Sequence, residues 1–216
     1  MSVLVATLRS VKEDFLFELN RFMLLWKYQH HTPPFALWWR LVLKRAVDFL
    51  GALVLVVAFS PLLLVLALLV KLTSQGSVFY RQERVGIYGA PFQIYKFRTM
   101  MQDAEARTGP VWTAATNDPR VTPLGRFLRR SHLDELPQLF NVLQGEMSLV
   151  GPRPERPCFV QELQRMVPRY DHRHYLKPGI TGLAQVHYRY DQTIADVKKK
   201  LRFDLLYTRA VLVHHP

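Results

Sequence analysis

The sequence predicts a mostly helical α/β fold that joins one membrane element to one compact domain. Residues 46–70 form an apolar run, and about 20 apolar residues are enough for a helix to cross a bilayer. Two strand patterns and several helical patterns follow this run. The chain of 216 residues leaves room for a domain of roughly 130 to 150 residues, whose start we place near Leu72.

Residues 1–43 are predicted to form an amphipathic segment ahead of the apolar run. Between residues 11 and 28, large apolar side chains recur at helical spacing, among them Phe15, Leu19, Phe22 and Trp26. A helix with an aromatic-rich stripe of this kind typically lies on a membrane surface or on a domain. We assign this segment no chemistry, and its role stays open, including a contribution to a homo-oligomer.

The apolar run is interrupted near its middle by Ser60 and Pro61. Proline removes a backbone donor and clashes with the preceding turn, so we expect the helix to bend sharply or break there. The Ser60 hydroxyl is expected to help satisfy the freed carbonyls. Lys and Arg favour the cytoplasmic side, but basic residues flank both ends of residues 44–72. The residue types alone therefore support a re-entrant hairpin and a kinked spanning helix equally.

The net charge of +12 predicts anionic partners, which are phospholipid headgroups, phosphorylated substrates or nucleic acid. The membrane segment favours the first two, and we expect no nucleic-acid partner. Cys158 is the only cysteine, which excludes an intramolecular disulfide and a cysteine-based zinc site. This cysteine content is compatible with a reducing, cytoplasm-facing domain.

Strand and helix patterns follow each other along residues 73–216. Two strands are predicted at residues 78–84 and 91–97, around a turn at residues 86–89. Helical patterns are predicted at residues 101–107, 124–130, 136–143, 159–166 and 194–213.

Asp134 and Glu135 are adjacent carboxylates that follow a cluster of three arginines, Arg126, Arg129 and Arg130. One interpretation is structural, because Ser131 and Asp134 have the spacing of a capping box at the start of a helix. The other is chemical. A carboxylate near a helix N-terminus and several arginines stays ionised beside a bound phosphate and can attack phosphorus. Both interpretations stay open on these residues alone.

Three further basic residues suit phosphate binding. Lys96 and Arg98 lie two apart at a strand end, so we expect them to share a face, as a diphosphate would require. Arg153 stands in a loop fixed by a glycine and two prolines, which suits bidentate phosphate binding. Phosphoryl chemistry usually uses Mg²⁺ held on one or two carboxylates, and Glu135 is the nearest metal candidate. Further acidic candidates are Asp103 and Glu105.

In their order along residues 44–205, these motifs resemble the bacterial sugar transferase family, the monotopic phosphoglycosyl transferases. The matching sequences are KRAVDF, the Ser60-Pro61 pair, YRQERVG, YKFRTM, DAE, the stretch from DPRVT to GPRPE, and YLKPGITGLAQV. Each motif is weak by itself, but the ordered series is specific. The resemblance implies a re-entrant helix-break-helix and interfacial helices that seat a catalytic domain on the cytoplasmic face of the bacterial inner membrane.

The resemblance also implies a reaction. A sugar 1-phosphate passes from a nucleoside diphosphate sugar, expected to be a UDP-sugar, to polyprenyl (undecaprenyl) phosphate, and UMP is released as glycan assembly begins. It assigns Asp134 as the nucleophile that forms an aspartyl phosphosugar, and Glu135 as the Mg²⁺ ligand. We interpret four basic residues in family motifs as phosphate contacts, namely Lys96, Arg98, Arg126 and Arg153.

Two other functions are compatible with the residues. In a membrane-associated nucleotide-sugar hydrolase, Asp134 would activate water instead of attacking phosphorus. In a non-enzymatic basic membrane adaptor, Asp134 and Glu135 would serve only as a helix cap. The adaptor is disfavoured, because a cap requires neither an adjacent glutamate nor flanking arginines.

Overall fold

The computed structural model of the chain describes residues 34–102, 104, 118–188 and 193–212. The predicted helix at residues 11–28 lies outside these residues, as do Asp103 and Glu105. The helices and strands, in chain order, are α1 (Pro34–Thr73), β1 (Phe79–Val85), β2 (Pro91–Phe97), α2 (Pro123–Ser131), α3 (Gln138–Gln144), β3 (Ser148–Val150), α4 (Pro157–Met166), β4 (Gly179–Thr181), α5 (Leu183–His187) and α6 (Ile194–Leu212). The described part is mostly helical, with small sheets, as the sequence predicts.

Helix α1 continues through Ser60 and Pro61, where the sequence predicted a sharp bend or break. Pro61 has no N–H to donate to the carbonyl of Val57, four residues earlier. Instead, Ser60 Oγ donates to that carbonyl at 2.8 Å. The predicted role of the Ser60 hydroxyl is therefore confirmed. The helix is not broken at Pro61, since α1 is continuous from Pro34 to Thr73, and a sharp bend there stays a prediction.

One face of α1 packs against the rest of the chain on both sides of Pro61. Ala52 belongs to an apolar cluster with residues of β2 and α3. Leu66 and Val70 belong to a second cluster, with Phe97 of β2 and Leu128 of α2. By length and composition α1 could cross a membrane. Its other face carries exposed apolar side chains, including Val54, Val57, Leu64 and Leu68.

Strands β1 and β2 form an antiparallel hairpin in which Phe79 pairs with Phe97 and Val85 pairs with Pro91. The hairpin agrees with the sequence prediction, and each of its strands is seven residues long. Strands β3 and β4 form a separate parallel pair that was not predicted. Each strand has only three residues, which are too few for an alternation of apolar and polar residues to be recognised.

The β3–β4 pair fixes the loop that carries Arg153. Gly151 N donates to the Thr181 carbonyl at 2.9 Å, and Gly179 N donates to the Pro152 carbonyl at 2.9 Å. A Cβ atom at Gly179 would overlap the backbone nitrogen of Gly151. The glycine of the YLKPGITGLAQV motif therefore permits the close backbone approach that holds this loop in place.

The predicted helices in the second half of the chain correspond to α2, α3, α4 and α6, within a few residues at their ends. Residues 101, 102 and 104 are not helical, and the remainder of the helix predicted at residues 101–107 lies outside the described residues. Helices α4 and α6 pack together through a core that includes Val160, Leu163, Val197 and Leu201.

Candidate active site

Asp134 and Glu135 lie on a single 3₁₀ turn, Leu133–Glu135, between α2 and α3. The turn follows His132, whose φ of 58° ends α2 in the left-handed conformation and redirects the chain. Ser131 is the last residue of α2, and its hydroxyl donates to the carbonyls of Phe127 and Leu128. It therefore caps no following helix. The capping-box interpretation is wrong, because a left-handed residue separates Ser131 from the turn that carries the carboxylates.

Two cations share the Glu135 carboxylate. Lys96 Nζ contacts Oε1 at 2.7 Å, and Arg153 Nη2 contacts the same oxygen at 2.6 Å. Burial opposes the charge on Glu135, but Lys96 and Arg153 outweigh it and hold the pKa of this carboxyl well below its usual range. Burial lowers the pKa of Lys96, and Glu135 opposes that shift. Glu135 is thus a permanently ionised group at neutral pH.

Asp134 is only 8% exposed. Burial raises the pKa of its carboxyl, Glu135 adds to the shift, and Lys96 and Arg129 oppose it. The shift runs against the effect of the nearby cations, because desolvation exceeds their attraction. The two neighbouring carboxyls therefore have pKa values that are driven apart, an arrangement that commonly separates a reacting carboxyl from a permanently charged one.

Arg98 and Arg126 are the other two cations that were predicted to contact phosphate. Arg98 is buried, and its Nη2 donates to the carbonyl and the hydroxyl of Ser74, in the loop after α1. Arg126 is exposed on α2 and is not among the residues that line the site. Arg129 does line the site, and its Nε donates to Thr99 Oγ1 at 2.8 Å. The structure thus brings Arg129, rather than Arg126, to the carboxylate pair.

A cleft of about 1780 Å³ contains these groups. Asp134, Glu135 and Lys96 line it, and α1 contributes the apolar side chains of Leu55 and Phe59 to the same space. The remaining charged lining is mainly basic and includes Arg84, Arg98, Arg129, Arg130, Arg153, Arg156 and Lys200. The cleft therefore presents a cationic, carboxylate-containing surface next to an apolar one.

Two buried acids that contact the site region were not among the predicted residues. Asp48 of α1 accepts hydrogen bonds from Ser148 Oγ at 2.8 Å and Leu149 N at 3.0 Å. Asp204 of α6 pairs with Arg173 at 2.9 Å. The sequence contains a signal for both. Asp48 is the one charged residue within the apolar run, and Asp204 lies on the same helical stripe as Val197 and Leu201.

The residues present fit a magnesium ion held partly by substrate. The described residues contain no group of three or more side chains that could ligate a metal. Mg²⁺ usually takes only one or two protein carboxylates together with phosphate oxygens and water. Asp134 and Glu135 supply that number of hard oxygen donors, and the depressed pKa of Glu135 keeps one of them anionic.

The fold joins a long apolar helix, exposed along one face, to a domain whose cleft has a mainly basic lining. The family model described as bacterial sugar transferase matches residues 39–214. The chain is 44% identical, over 77% of its length, to the UDP-N-acetylgalactosamine-undecaprenyl-phosphate N-acetylgalactosaminephosphotransferase of Aeromonas hydrophila. It is 45% identical, over 78% of its length, to the UDP-glucose:undecaprenyl-phosphate glucose-1-phosphate transferase of Escherichia coli K12. The chain belongs to the bacterial sugar transferase family.

The chain spans 39% of the length of the Aeromonas protein and 36% of the length of the Escherichia coli protein. A third relative, the exopolysaccharide production protein PSS of Rhizobium leguminosarum bv. phaseoli, is 44% identical over 68% of this chain and 74% of its own length. The family match over residues 39–214 includes most of α1 and the Asp134–Glu135 pair.

Proposed function

We propose that the protein transfers a sugar 1-phosphate from a UDP-sugar to undecaprenyl phosphate and releases UMP. The observation that carries this proposal is the Asp134–Glu135 pair in a cleft that α1 also lines, with Lys96 and Arg153 on the Glu135 carboxylate. Cationic side chains suit the diphosphate of a nucleotide sugar, and the apolar side chains suit a lipid. The names of the relatives support the same substrates, and one of them supports a role in exopolysaccharide production.

In the first step, an Asp134 carboxylate oxygen forms a bond to the phosphorus that carries the sugar. The bond from that phosphorus to the bridging oxygen breaks, and UMP leaves with the bonding electrons. Burial makes the Asp134 carboxylate poorly solvated, which favours its reaction with phosphorus once it is deprotonated. Lys96 and Arg153 lie where they can offset the charge of the leaving phosphate.

In the second step, an oxygen of undecaprenyl phosphate attacks the phosphorus of the aspartyl phosphosugar. The bond to Asp134 breaks, the carboxylate is regenerated, and the product is a lipid diphosphate sugar. Leu55 and Phe59 of α1 give the acceptor an apolar route into the cleft. The two half-reactions use one carboxylate in turn, so the nucleotide must leave before the lipid phosphate reacts.

We propose Glu135, with Asp134 beside it, as the residues that would hold Mg²⁺. A bound Mg²⁺ would neutralise negative charge on the diphosphate. Glu135 offers a carboxylate that stays ionised over the whole neutral range, because Lys96 and Arg153 depress its pKa. The same two contacts fix its side chain, which lines the cleft.

We also propose that α1 bends at Pro61 within the membrane and so enters and leaves by one face, with the catalytic domain in the cytoplasm at the inner membrane. Residues on both sides of Pro61, such as Ala52 and Val70, pack against the same following domain. A helix that crossed the bilayer between these positions would separate them onto opposite sides. The exposed apolar face of α1 would then contact lipid.

The experiment that tests this function is capture of the covalent intermediate. The full-length protein, incubated with a UDP-sugar and Mg²⁺ but no lipid acceptor, is expected to release up to one equivalent of UMP. A sugar phosphate should then be found on Asp134 by mass spectrometry, and undecaprenyl phosphate should discharge it. Continuous release of free sugar 1-phosphate, with no lipid product, would instead support the hydrolase. No turnover of any UDP-sugar would support the adaptor.

A further inference from the structure

Arg173 occupies a buried position between α6 and the loop that carries Arg153. It is 7% exposed, and its partner Asp204 on α6 is 4% exposed. Arg173 Nη2 lies 2.9 Å from the Asp204 carboxylate, and Nη1 donates to the Tyr170 hydroxyl at 2.6 Å. Burial opposes the charge on Arg173, but Tyr170 and Asp204 outweigh it and raise its pKa. Arg173 is therefore a fixed, fully charged group.

The same guanidinium reaches the active-site loop. Arg173 Nη2 donates to the backbone carbonyl of Arg153 at 2.8 Å. The side chain of Arg153 in turn contacts both carboxylate oxygens of Glu135, at 2.6 and 3.3 Å. A continuous series of contacts thus runs from Asp204 through Arg173 and Arg153 to the carboxylate pair.

We propose that Arg173 is a positioning residue for the transfer reaction. By holding the Arg153 carbonyl, and by being held itself by Asp204 and Tyr170, it sets where the Arg153 guanidinium meets Glu135. This inference rests on the proposed function, since it assigns Arg173 a part in that reaction. It makes α6 a structural component of the active site, although α6 supplies none of the residues assigned to the chemistry.

The geometry requires arginine at this position. Three partners, the Tyr170 hydroxyl, the Asp204 carboxylate and the Arg153 carbonyl, are met by one planar guanidinium. A lysine carries the same charge on a compact ammonium group, which cannot reproduce the fork that spans these partners. Arg173 also lines the cleft, and its buried Nε has no hydrogen-bond partner among the described residues. Direct contact with substrate is therefore the alternative that the test must separate.

The test compares Arg173→Lys with the double variant Arg173→Met/Asp204→Leu. Replacing both members of a buried ion pair by apolar residues is often neutral for stability, so the double variant guards against loss of folding. Both variants are expected to lower kcat, by about 100-fold for a displacement near 1 Å, with KM for the UDP-sugar changed much less. Arg165→Met, on the exposed surface of α4, serves as the matched control and should retain wild-type kinetics.

The split between kcat and KM gives a readout that a purely structural role would not move, because the double variant removes the hydrogen bond to the Arg153 carbonyl without leaving an unpaired buried charge. Near-normal kcat in both folded variants would overturn the inference. A raised KM with normal kcat would also overturn it, in favour of substrate contact by Arg173.

A structure of the full-length double variant tests the same inference without any turnover. We expect Arg153 to leave hydrogen-bond distance of Glu135 once its carbonyl loses Arg173. If the contact at 2.6 Å persists, Arg173 does not position Arg153 and the inference is wrong. An inactive wild-type enzyme would count against the proposed function alone, because this structural comparison needs no substrate.

Discussion

Arg153 Nη2 lies 2.6 Å from Glu135 Oε1, across 18 residues of sequence that include all of α3. The contact joins the loop after β3 to the turn that carries the carboxylate pair. Because Lys96 from β2 reaches the same oxygen at 2.7 Å, Glu135 connects three separate elements of the fold. The site is therefore assembled by a carboxylate that also stabilises the surrounding structure.

Removing the charge of Glu135 is expected to affect stability as well as activity. In Glu135→Gln, Lys96, whose side chain is 17% exposed, loses its anionic partner, and breaking a largely buried ion pair from one side costs up to about 3–5 kcal/mol. We expect a clear fall in the thermal unfolding midpoint in detergent, together with loss of transfer. Glu162→Gln, on an exposed face of α4, is the control. Equal midpoints for the two variants would contradict this account of Glu135.

In contrast to Glu135, the ionised Asp134 carboxyl is expected to lower the stability of the folded protein. Its raised pKa means that the folded state binds a proton more tightly than the unfolded state does, so the ionised carboxyl lowers stability at neutral pH. Asp134→Asn should abolish transfer and raise stability by ~1 kcal/mol, or about 2–4 °C in the unfolding midpoint. Near-normal turnover of this variant would exclude Asp134 as the nucleophile. A large fall in the unfolding midpoint would instead show that burial of the ionised Asp134 carboxyl does not destabilise the folded protein.

The pH dependence of transfer should follow Asp134. The nucleophile must be deprotonated, so activity falls as the pH drops through a pKa that lies above the ordinary value for an aspartate. The charge of Arg129 lowers this pKa, and its removal should raise it. In Arg129→Gln, the acidic limb of kcat is therefore expected to move to higher pH. Arg202→Gln, on an exposed position of α6, should leave the limb unchanged, and a shift to lower pH in Arg129→Gln would refute the assignment.

Docking of α1 should depend on Asp48. This carboxylate accepts hydrogen bonds from Leu149 N and Ser148 Oγ and pairs with Lys44 at 3.1 Å. Asp48→Asn keeps the size of the side chain but loses charge-assisted bonds, which are worth about 1.5–3 kcal/mol each. We expect a lower unfolding midpoint, whereas Val54→Ala, on the exposed face of α1, should change it little. If the two midpoints agree, Asp48 does not anchor α1.

The topology proposed for α1 predicts the accessibility of its two ends. Leu43 and Leu72, at opposite ends of the apolar run, are exposed. Single cysteines introduced at these positions in a Cys158→Ser background should both react with a membrane-impermeant maleimide from the cytoplasmic side. Labelling of the two positions from opposite faces would establish a spanning helix instead.

The sequence predicts the strands and helices that are long enough for a repeating spacing of apolar residues to be recognised. The β1–β2 hairpin and helices α2, α4 and α6 follow from alternation or helical spacing. Strands β3 and β4 are too short for that signal. The break at Pro61 was expected from backbone chemistry alone, and a neighbouring serine hydroxyl satisfies the carbonyl that the proline leaves unpaired.

The sequence predicted which kinds of side chain form the candidate site better than it predicted their arrangement. Asp134, Glu135, Lys96 and Arg153 come together as charge and motif suggested, because each sits beside a turn or a strand end. The sequence could not show which of Arg126, Arg129 and Arg130 faces the cleft, because that depends on where α2 ends. The direction of the Asp134 pKa was also missed, because desolvation depends on packing that a linear pattern does not contain.

The hydrogen bond from Ser60 to the Val57 carbonyl affects how readily α1 bends near Pro61. Bending a helix ordinarily lengthens backbone hydrogen bonds, but at Pro61 that bond does not exist, and a side-chain hydroxyl can rotate to follow its acceptor. The middle of α1 is therefore the point of lowest bending stiffness, between two stiffer segments that are each fastened to the domain. In the membrane topology proposed for α1, variations in bilayer thickness would be absorbed at this point, close to Phe59 of the cleft lining.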